Sequence, residues 1–379
     1  MSYDPHCNEW LLNRFEIYKE LRSMDKAYWS EQYQVHVLTR YDDVFFALNN
    51  PKIFSSAQGN LLIETDERRG KTLGASDNPV HKSYKDIVIN AYSKDNLKRV
   101  ADVFTEKTIE HLENKTDINV SDVTDDISSW AVTEIMNFPL DKQHIVDLAT
   151  YTHRHHDTNV VNDVDPDFDS KYQIGIIYDA IRKRRRSPGP GVYHEYLHNN
   201  PKYLEVVSLT FGNMITGLGS LASALQYLTL DLYYENQLET LLNDQSLIAE
   251  AVDESLRFRA GVGRFCRTVT EDITIHGVDL KPGDKVAVSL ESANRDPDKF
   301  TDPDKFIIDR KGPKHLSWGH GVHSCIALAI SKELLYIYTK LLLDKVGRYE
   351  ILTKPSELEY ILIKGGNINV MKNIMLRKL

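Results

Sequence analysis

From Val206 to Leu230 the chain runs for 25 positions without a charged residue. A helix of that length could cross a bilayer, or it could form the centre of a large globular core. Its polar content decides between the two. Ser208, Thr210, Asn213, Thr216, Ser220, Ser223, Gln226 and Thr229 lie within it, together with three glycines. The stretch therefore reads as a buried central helix. A chain of 379 residues, 41% hydrophobic and 27% charged, has ample material for such a core. Forty-six basic against 55 acidic side chains leave a formal charge of -9, which argues against nucleic acid as the main partner. Cys7, Cys266 and Cys325 are odd in number and lack a Cys-x-x-Cys spacing, which excludes a disulfide framework and a zinc ribbon. Met1 to Leu21 carries Asp4, Glu9, Arg14, Glu16, Lys19 and Glu20, so neither a signal peptide nor a membrane anchor is expected. The expected location is cytoplasmic.

Local patterns order the rest. Tyr33 to Thr39 alternates and is β-branched, which predicts a strand. Tyr41 to Asn50 reads as a short helix ended by Asn-Asn-Pro, and residues 60–80 read as irregular. Helical patterns dominate from Pro79 to Arg186. The basic run Arg182–Arg186, closed by Ser187–Gly191, reads as a solvated helix C-terminus. Helix continues past the uncharged stretch to about Phe258, and a strand-rich section begins at Arg264. Ile273–Leu290 has two alternating runs around Lys281-Pro282-Gly283-Asp284, a hairpin signal. A loop rich in Asp and Pro follows Asn294, helix restarts near Cys325 and runs to about Val346, and short strands end the chain. The fold class is α+β, predominantly helical with small segregated β-sheets, in a single domain over residues 1–379.

The chemistry concentrates between Trp318 and Ala327, Trp-Gly-His-Gly-Val-His-Ser-Cys-Ile-Ala. Gly319 and Gly321 allow tight turns or close approach to a flat partner. Cys325 stands just before a helical run, where unpaired N–H groups and the dipole favour thiolate. A thiolate so placed can be a nucleophile, a redox centre or a metal ligand.

Trp318, Gly319, Gly321, His323, Cys325 and Ala327 resemble the haem-binding loop of the cytochrome P-450 superfamily, Phe-Gly-x-Gly-x-His-x-Cys-x-Gly, with Trp318 for Phe and Ala327 for the last Gly. Other segments resemble the family in the expected order. Glu254-Ser-Leu-Arg257 matches its Glu-x-x-Arg, two residues that share a helix face. Ala293-Asn294-Arg295-Asp296-Pro297 and Phe306-x-x-x-Arg310 follow. The early segment from Tyr33 through Tyr41–Val44 to Phe54–Ser56 resembles the family's first sheet and helix.

The resemblance implies the P-450 fold, haem b (iron-protoporphyrin IX) and Cys325 as the iron ligand. It implies that His81, Lys85, Arg267, His315 and His323 meet the propionates, with Lys85 standing where Arg is usual, a point charge in place of a fork. It also implies that Arg310 joins Glu254 and Arg257 to lock the core beneath the haem. Loops at Arg259–Gly263, Lys364–Asn367 and Leu61–Glu64 would line the pocket.

The informative departure lies in the uncharged helix. Thr216, Gly217, Leu218, Gly219 and Ser220 stand on the family's Ala/Gly-Gly-x-Asp/Glu-Thr. By resemblance Gly217 keeps the gap in which oxygen sits, Ser220 keeps a hydroxyl, and Gly219 removes the acid that feeds protons. The implied function is oxidation of a small organic substrate with O2, in secondary-metabolite biosynthesis, with an atypical proton relay. Electrons would come from a separate ferredoxin or flavodoxin, drawn to Lys82, Lys314 and Lys332. The alternatives are a peroxide-driven or oxidative-coupling enzyme of the same family and, in another class, a catalytically silent haem-binding sensor or recruiter. The cluster Thr152–Asp157, with His153, His155 and His156, fits no standard metal spacing and reads as surface or channel lining.

Overall fold

The computed structural model describes residues 3–64, 66, 68–136, 203–362 and 366–379. The basic run Arg182–Arg186, the turn Ser187–Gly191, the histidines of 153–156, and Lys364 with Gly365 lie outside the described residues. The helices in chain order are α1 (Asn8–Ser23), α2 (Tyr41–Asn49), α3 (Val80–Val88), α4 (Lys94–Leu112), α5 (Val120–Met136), α6 (Tyr203–Tyr234), α7 (Leu238–Asn243), α8 (Ile248–Phe258), α9 (Leu290–Ala293) and α10 (Leu328–Leu341). The strands are β1 (Tyr28–Ser30), β2 (Val35–Leu38), β3 (Phe54–Ser55), β4 (Asp117–Asn119), β5 (Arg264–Val269), β6 (Ile273–Ile275), β7 (Val278–Leu280), β8 (Lys285–Ser289), β9 (Tyr349–Ile351), β10 (Glu359–Tyr360), β11 (Met371–Lys372) and β12 (Met375–Lys378).

The uncharged stretch is α6, and every residue from Leu221 to Leu232 is buried. Each buried Leu side chain contributes about 1.5–3 kcal/mol relative to exposure. The polar side chains among them are partnered, as burial requires. Ser223 Oγ donates to Asn369 O at 2.7 Å, and Gln226 pairs with both backbone groups of Met371 at 2.8 and 3.0 Å. Thr229 Oγ1 and the Tyr338 hydroxyl are 2.8 Å apart. Among the described residues no helix is long and apolar enough to cross a membrane.

Around α6 pack α5, α8 and α10. The buried face of α8, through Ile248, Ala251, Val252, Ser255 and Leu256, follows the three-and-four spacing of an amphipathic helix. A five-stranded sheet in the order β1-β2-β8-β5-β3 lies beside this helical layer. Its β2–β8 pair is parallel and its other pairs are antiparallel. Three smaller sheets stand apart: β4-β12-β9, β6-β7 and β10-β11. The α+β class with small segregated sheets is what the structure shows.

Local details differ from the sequence reading. The hairpin is β6–β7 alone, closed by His276 (φ 45°) and Gly277 (φ 68°), both in the left-handed region that a two-residue hairpin turn needs. Lys281–Asp284 does turn, with Asp284 Oδ2 accepting from Lys281 N at 2.8 Å. It sends the chain into the large sheet, where β8 pairs with β2 and β5 instead of β7. The helical region after Pro79 is interrupted by β4, which pairs with β12 near the C-terminus. Helix α2 owes its start to a distant group, since Tyr41 N donates to Asp296 Oδ2 at 2.7 Å and so caps a free N–H.

Candidate functional site

The cysteine loop is shaped by its glycines. Gly319 and Gly321 have φ of 64° and 67°, and a Cβ on Gly321 would stand 2.7 Å from Leu48 O at the end of α2. Cys325 N donates to Trp318 O at 2.9 Å and closes the loop. Helix α10 begins only at Leu328, so Cys325 precedes it by three residues instead of capping it. One side of Cys325 is open. The protein mass around the rest pushes its thiol up, and the Ala327 N–H aimed at the sulfur offsets part of that rise. Burial thus outweighs the one N–H aimed at the sulfur, and a bound cation would favour thiolate there.

Beside the loop, basic groups converge. The His81 ring on α3 and the His323 ring lie 4.3 Å apart between centroids. Lys85 Nζ, one turn on from His81, donates to Val322 O at 3.3 Å. Arg267 on β5 is buried, and its guanidinium donates to Cys266 O at 2.7 Å. Burial first, then the charges of Arg267, His81 and Lys85, lower His323 to about 3. Burial lowers Arg267 to about 10, against the opposing pull of Cys266 and Asp77. Burial and Lys85 likewise depress His81, which Asp77 partly offsets. Asp77 itself accepts from Ser55 Oγ at 2.5 Å and Ser56 N at 2.9 Å. Among the described residues no carboxylate forms an ion pair with any of these four groups. His323 Nε2 and Trp318 Nε1 are buried without a partner. Basic groups packed with no ion-paired carboxylate, with an orphaned ring nitrogen among them, suit a ligand bearing more than one negative charge.

A buried ion cluster holds the approach to this loop. Glu254 accepts from Arg257 Nε and Nη2 at 2.8 Å, from Arg310 Nε at 3.0 and 3.1 Å, and from Ile307 N at 2.8 Å. Arg257 also donates to Asn294 O, Pro303 O and Lys305 O, so one helix turn fixes the loop after α9. Asn294, given no role by sequence reasoning, is a second clamp. Its side chain accepts from Leu316 N at 2.7 Å and donates to Ser317 Oγ at 2.8 Å, next to Trp318. The Ala-Asn-Arg-Asp-Pro run was the only sequence signal for it. Tyr92, also missed, has its phenol pushed up by burial and by the nearby sulfur of Cys325. His315 does not join the basic cluster: its Nε2 lies 4.0 Å from Asp253 Oδ1, which Lys332 Nζ contacts at 2.6 Å.

On α6, Thr216 is exposed and Ser220 half-buried. Ser220 Oγ donates to Thr216 O at 2.6 Å, one turn back. A Cβ on Gly217 would stand 3.0 Å from Val132 Cγ2, so this glycine admits α5 against α6. Its missing side chain is explained by helix packing, where the sequence reading had given it an oxygen gap. Gly219 faces Ile368 and Val370. The loops 259–263 and 366–370 lie on this helix, with Gly261 close to Ser220 O and Val262 bridged to Ile368.

A family model described as Cytochrome P450 matches residues 239–344. Cytochrome P450 109 of Bacillus spizizenii is 27% identical over 376 residues, covering 94% of this chain and 90% of the relative. The polyketide biosynthesis cytochrome P450 PksS of Bacillus subtilis is 25% identical over 407 residues, covering 100% of this chain and 97% of the relative. The solved PksS structure superposes with a TM-score of 0.87 at 22% identity, covering 99% of each chain. P450BioI, solved with a fatty-acid-ligated acyl carrier protein, gives 0.84 at 20% identity, covering 98% of this chain and 100% of that one.

Proposed function

We propose, from the premise that this chain belongs to the cytochrome P450 superfamily, that it oxidises a small organic molecule with O2 in secondary-metabolite biosynthesis. The family's cofactor is haem b and its members are oxidoreductases. The observation that carries the reading is the convergence of His81, Lys85, Arg267 and His323 beside Cys325, none of them in an ion pair with a carboxylate among the described residues. In this reading Cys325 ligates the iron, those four groups hold the two propionates, and Trp318 and Ala327 flank the sulfur. Residues 1–379 act as one domain, in the cytoplasm.

Bound haem supplies oxygen activation, which thiolate ligation favours by pushing electron density toward the O–O bond. The chain's own residues do the rest. The Ala327 N–H directs a hydrogen bond at the sulfur and tempers its charge. Glu254, Arg257 and Arg310 keep the approach to the loop rigid. On the oxygen side, Ser220 holds its proton on Thr216 O and leaves its lone pairs open to accept from water or substrate. Gly219 brings no acid. Protons therefore reach Ser220 from ordered water or from a group on the substrate itself, which favours a dedicated biosynthetic oxidase. The biosynthetic setting in PksS's name agrees with this reading. Electrons arrive from a separate ferredoxin or flavodoxin. Of the three lysines considered for docking, Lys82 is paired to Asp86 and Lys332 to Asp253, which leaves Lys314 as the exposed cation with no ion pair among the described residues.

The test is the difference spectrum of the reduced holoprotein with and without carbon monoxide. A red-shifted Soret band of thiolate type, lost in Cys325→His, is expected. A band of histidine or neutral-thiol type in the parent overturns the ligand assignment, and absence of haem overturns the reading. Substrate screening by spin-state shift then separates an oxidase from a silent binder, which would consume no electron donor with any compound.

A further inference from the structure

We infer that Ile368 is a positioning residue of α6: with Val370 it fills the flank where an acid at position 219 would stand, and it keeps that flank dry. The inference rests on the proposed reading of α6 as the oxygen-side helix. A Cβ on Gly219 would lie 3.4 and 3.5 Å from Ile368 Cγ2 and Cδ1, and 3.5 Å from Val370 Cγ2. Those are ordinary contacts, so a methyl group fits. The next atoms of a carboxylate would be pressed into two aliphatic side chains. Gly219 is buried and Val370 is 1% exposed, so an ionised group there would have neither water nor a partner.

Ile368 is not free to swing aside. Before it, Asn367 O accepts from Gly263 N at 2.9 Å, and Gly366 O accepts from the buried Arg264 at 2.5 Å. After it, Asn369 N donates to Gly261 O at 3.1 Å and Asn369 O accepts from Ser223 Oγ at 2.7 Å. The Asn369 amide is also anchored, 3.2 Å from Glu291 Oε1. Four backbone tethers and one side-chain tether thus hold the backbone on either side of the half-buried Ile368 against α6. One turn before Gly219, Thr216 is exposed, and the next residue, Ser220, is half-buried. The glycine at 219 is accordingly matched to its neighbour, and an acid restored at 219 alone would be held neutral under an apolar wall.

The experiment is a double-mutant cycle in the holoenzyme: Gly219→Asp, Ile368→Ala and the pair, with Gly219→Ala and Ile368→Val as conservative controls. Thermal unfolding is followed at pH 5 and pH 7.5 by far-UV circular dichroism. Gly219→Ala should melt near the parent. Gly219→Asp should melt lower, more so at pH 7.5 than at pH 5. Ile368→Ala should restore about half or more of that loss, because contacting residues do not act additively. Ile368→Val should restore little. The second readout is re-oxidation of dithionite-reduced protein in air-saturated H2O and D2O. The pair, with a hydrated acid, should re-oxidise faster than either single variant and lose most of that gain in D2O. Additive melting shifts, or a Gly219→Asp variant as stable as Gly219→Ala, would overturn the inference. Failure of the P450 reading is separate: it shows as a missing thiolate-type band in the parent, on which the unfolding cycle does not depend.

Discussion

Replacing Glu254 by Gln tests how the cysteine loop is held. The substitution keeps the size of the side chain and removes its charge. In the parent, Glu254 accepts from Arg257 Nε and Nη2 at 2.8 Å, from Arg310 Nε at 3.0 Å and from Ile307 N at 2.8 Å, and it is 4% exposed. Gln retains one acceptor oxygen and turns an N–H pair toward two guanidinium groups. At least two charge-assisted hydrogen bonds are lost, at about 1.5–3 kcal/mol each. The arginines are not left bare, since Arg257 keeps Asn294 O, Pro303 O and Lys305 O, and Arg310 keeps Thr301 O and Asp302 O. The expected loss therefore sits at the lower end for breaking a buried ion pair, about 3 kcal/mol. Glu254→Ala should cost about 4–5 kcal/mol, because it also leaves Ile307 N without its acceptor and opens a cavity. The assay is urea unfolding of the holoprotein, followed by far-UV circular dichroism and by the Soret band. The Soret transition should move to lower urea by more than the helical one, because Arg257 and Asn294 hold the loop leading to Trp318. Asp272→Asn, which breaks an exposed pair with Lys281, serves as a control with no measurable change. A Glu254→Gln variant indistinguishable from that control would refute the reasoning.

Three other outcomes follow from the same geometry. Gly321→Ala should lower haem content in the purified protein, because a Cβ at φ 67° is strained and stands 2.7 Å from Leu48 O; an unchanged haem-to-protein ratio would refute this. Arg267→Ala should speed haem transfer to apomyoglobin by about tenfold or more, as expected for losing one charge-assisted hydrogen bond, while Lys85→Arg should slow it. Burial raises the Asp231 carboxyl to about 6, with Arg259 pulling the other way, so the folded state keeps a proton that the unfolded chain releases near pH 4. Stability from this group is present below about pH 4 and lost as pH rises to about 6, a change of order 3 kcal/mol at most, and Asp231→Asn should flatten that slope in urea midpoints.

What the sequence discloses depends on how far apart the cooperating groups lie. The loop at Cys325 was legible because its parts are neighbours, glycines at positive φ, a histidine and a cysteine within seven positions of Gly319. Glu254 and Arg257 were legible as one helix face, and Arg310 only through the order of resembling segments. The chain from β7 to β8 was misread because the partners of β8 are Val35–Leu38 and Arg264–Val269, and nothing near Lys281 records that choice. The family resemblance implied that His315 meets a propionate, yet its ring stands 4.0 Å from Asp253 on α8. Gly217 and Gly219 look alike in sequence. One admits Val132 and the other faces Ile368, a difference set by elements about 85 and 150 residues away.

By itself the sequence determined the periodic and local properties: an uncharged helix that must be buried and a cysteine poised before a helix. Side-chain polarity and short-range backbone sterics are enough for that. Only the tertiary structure decided which basic groups share a site without an ion-paired carboxylate, that burial outweighs the Ala327 N–H at Cys325, and that an aliphatic wall stands over Gly219. Those depend on desolvation and contact between segments far apart in the chain, and such energies exist only once the segments are packed together.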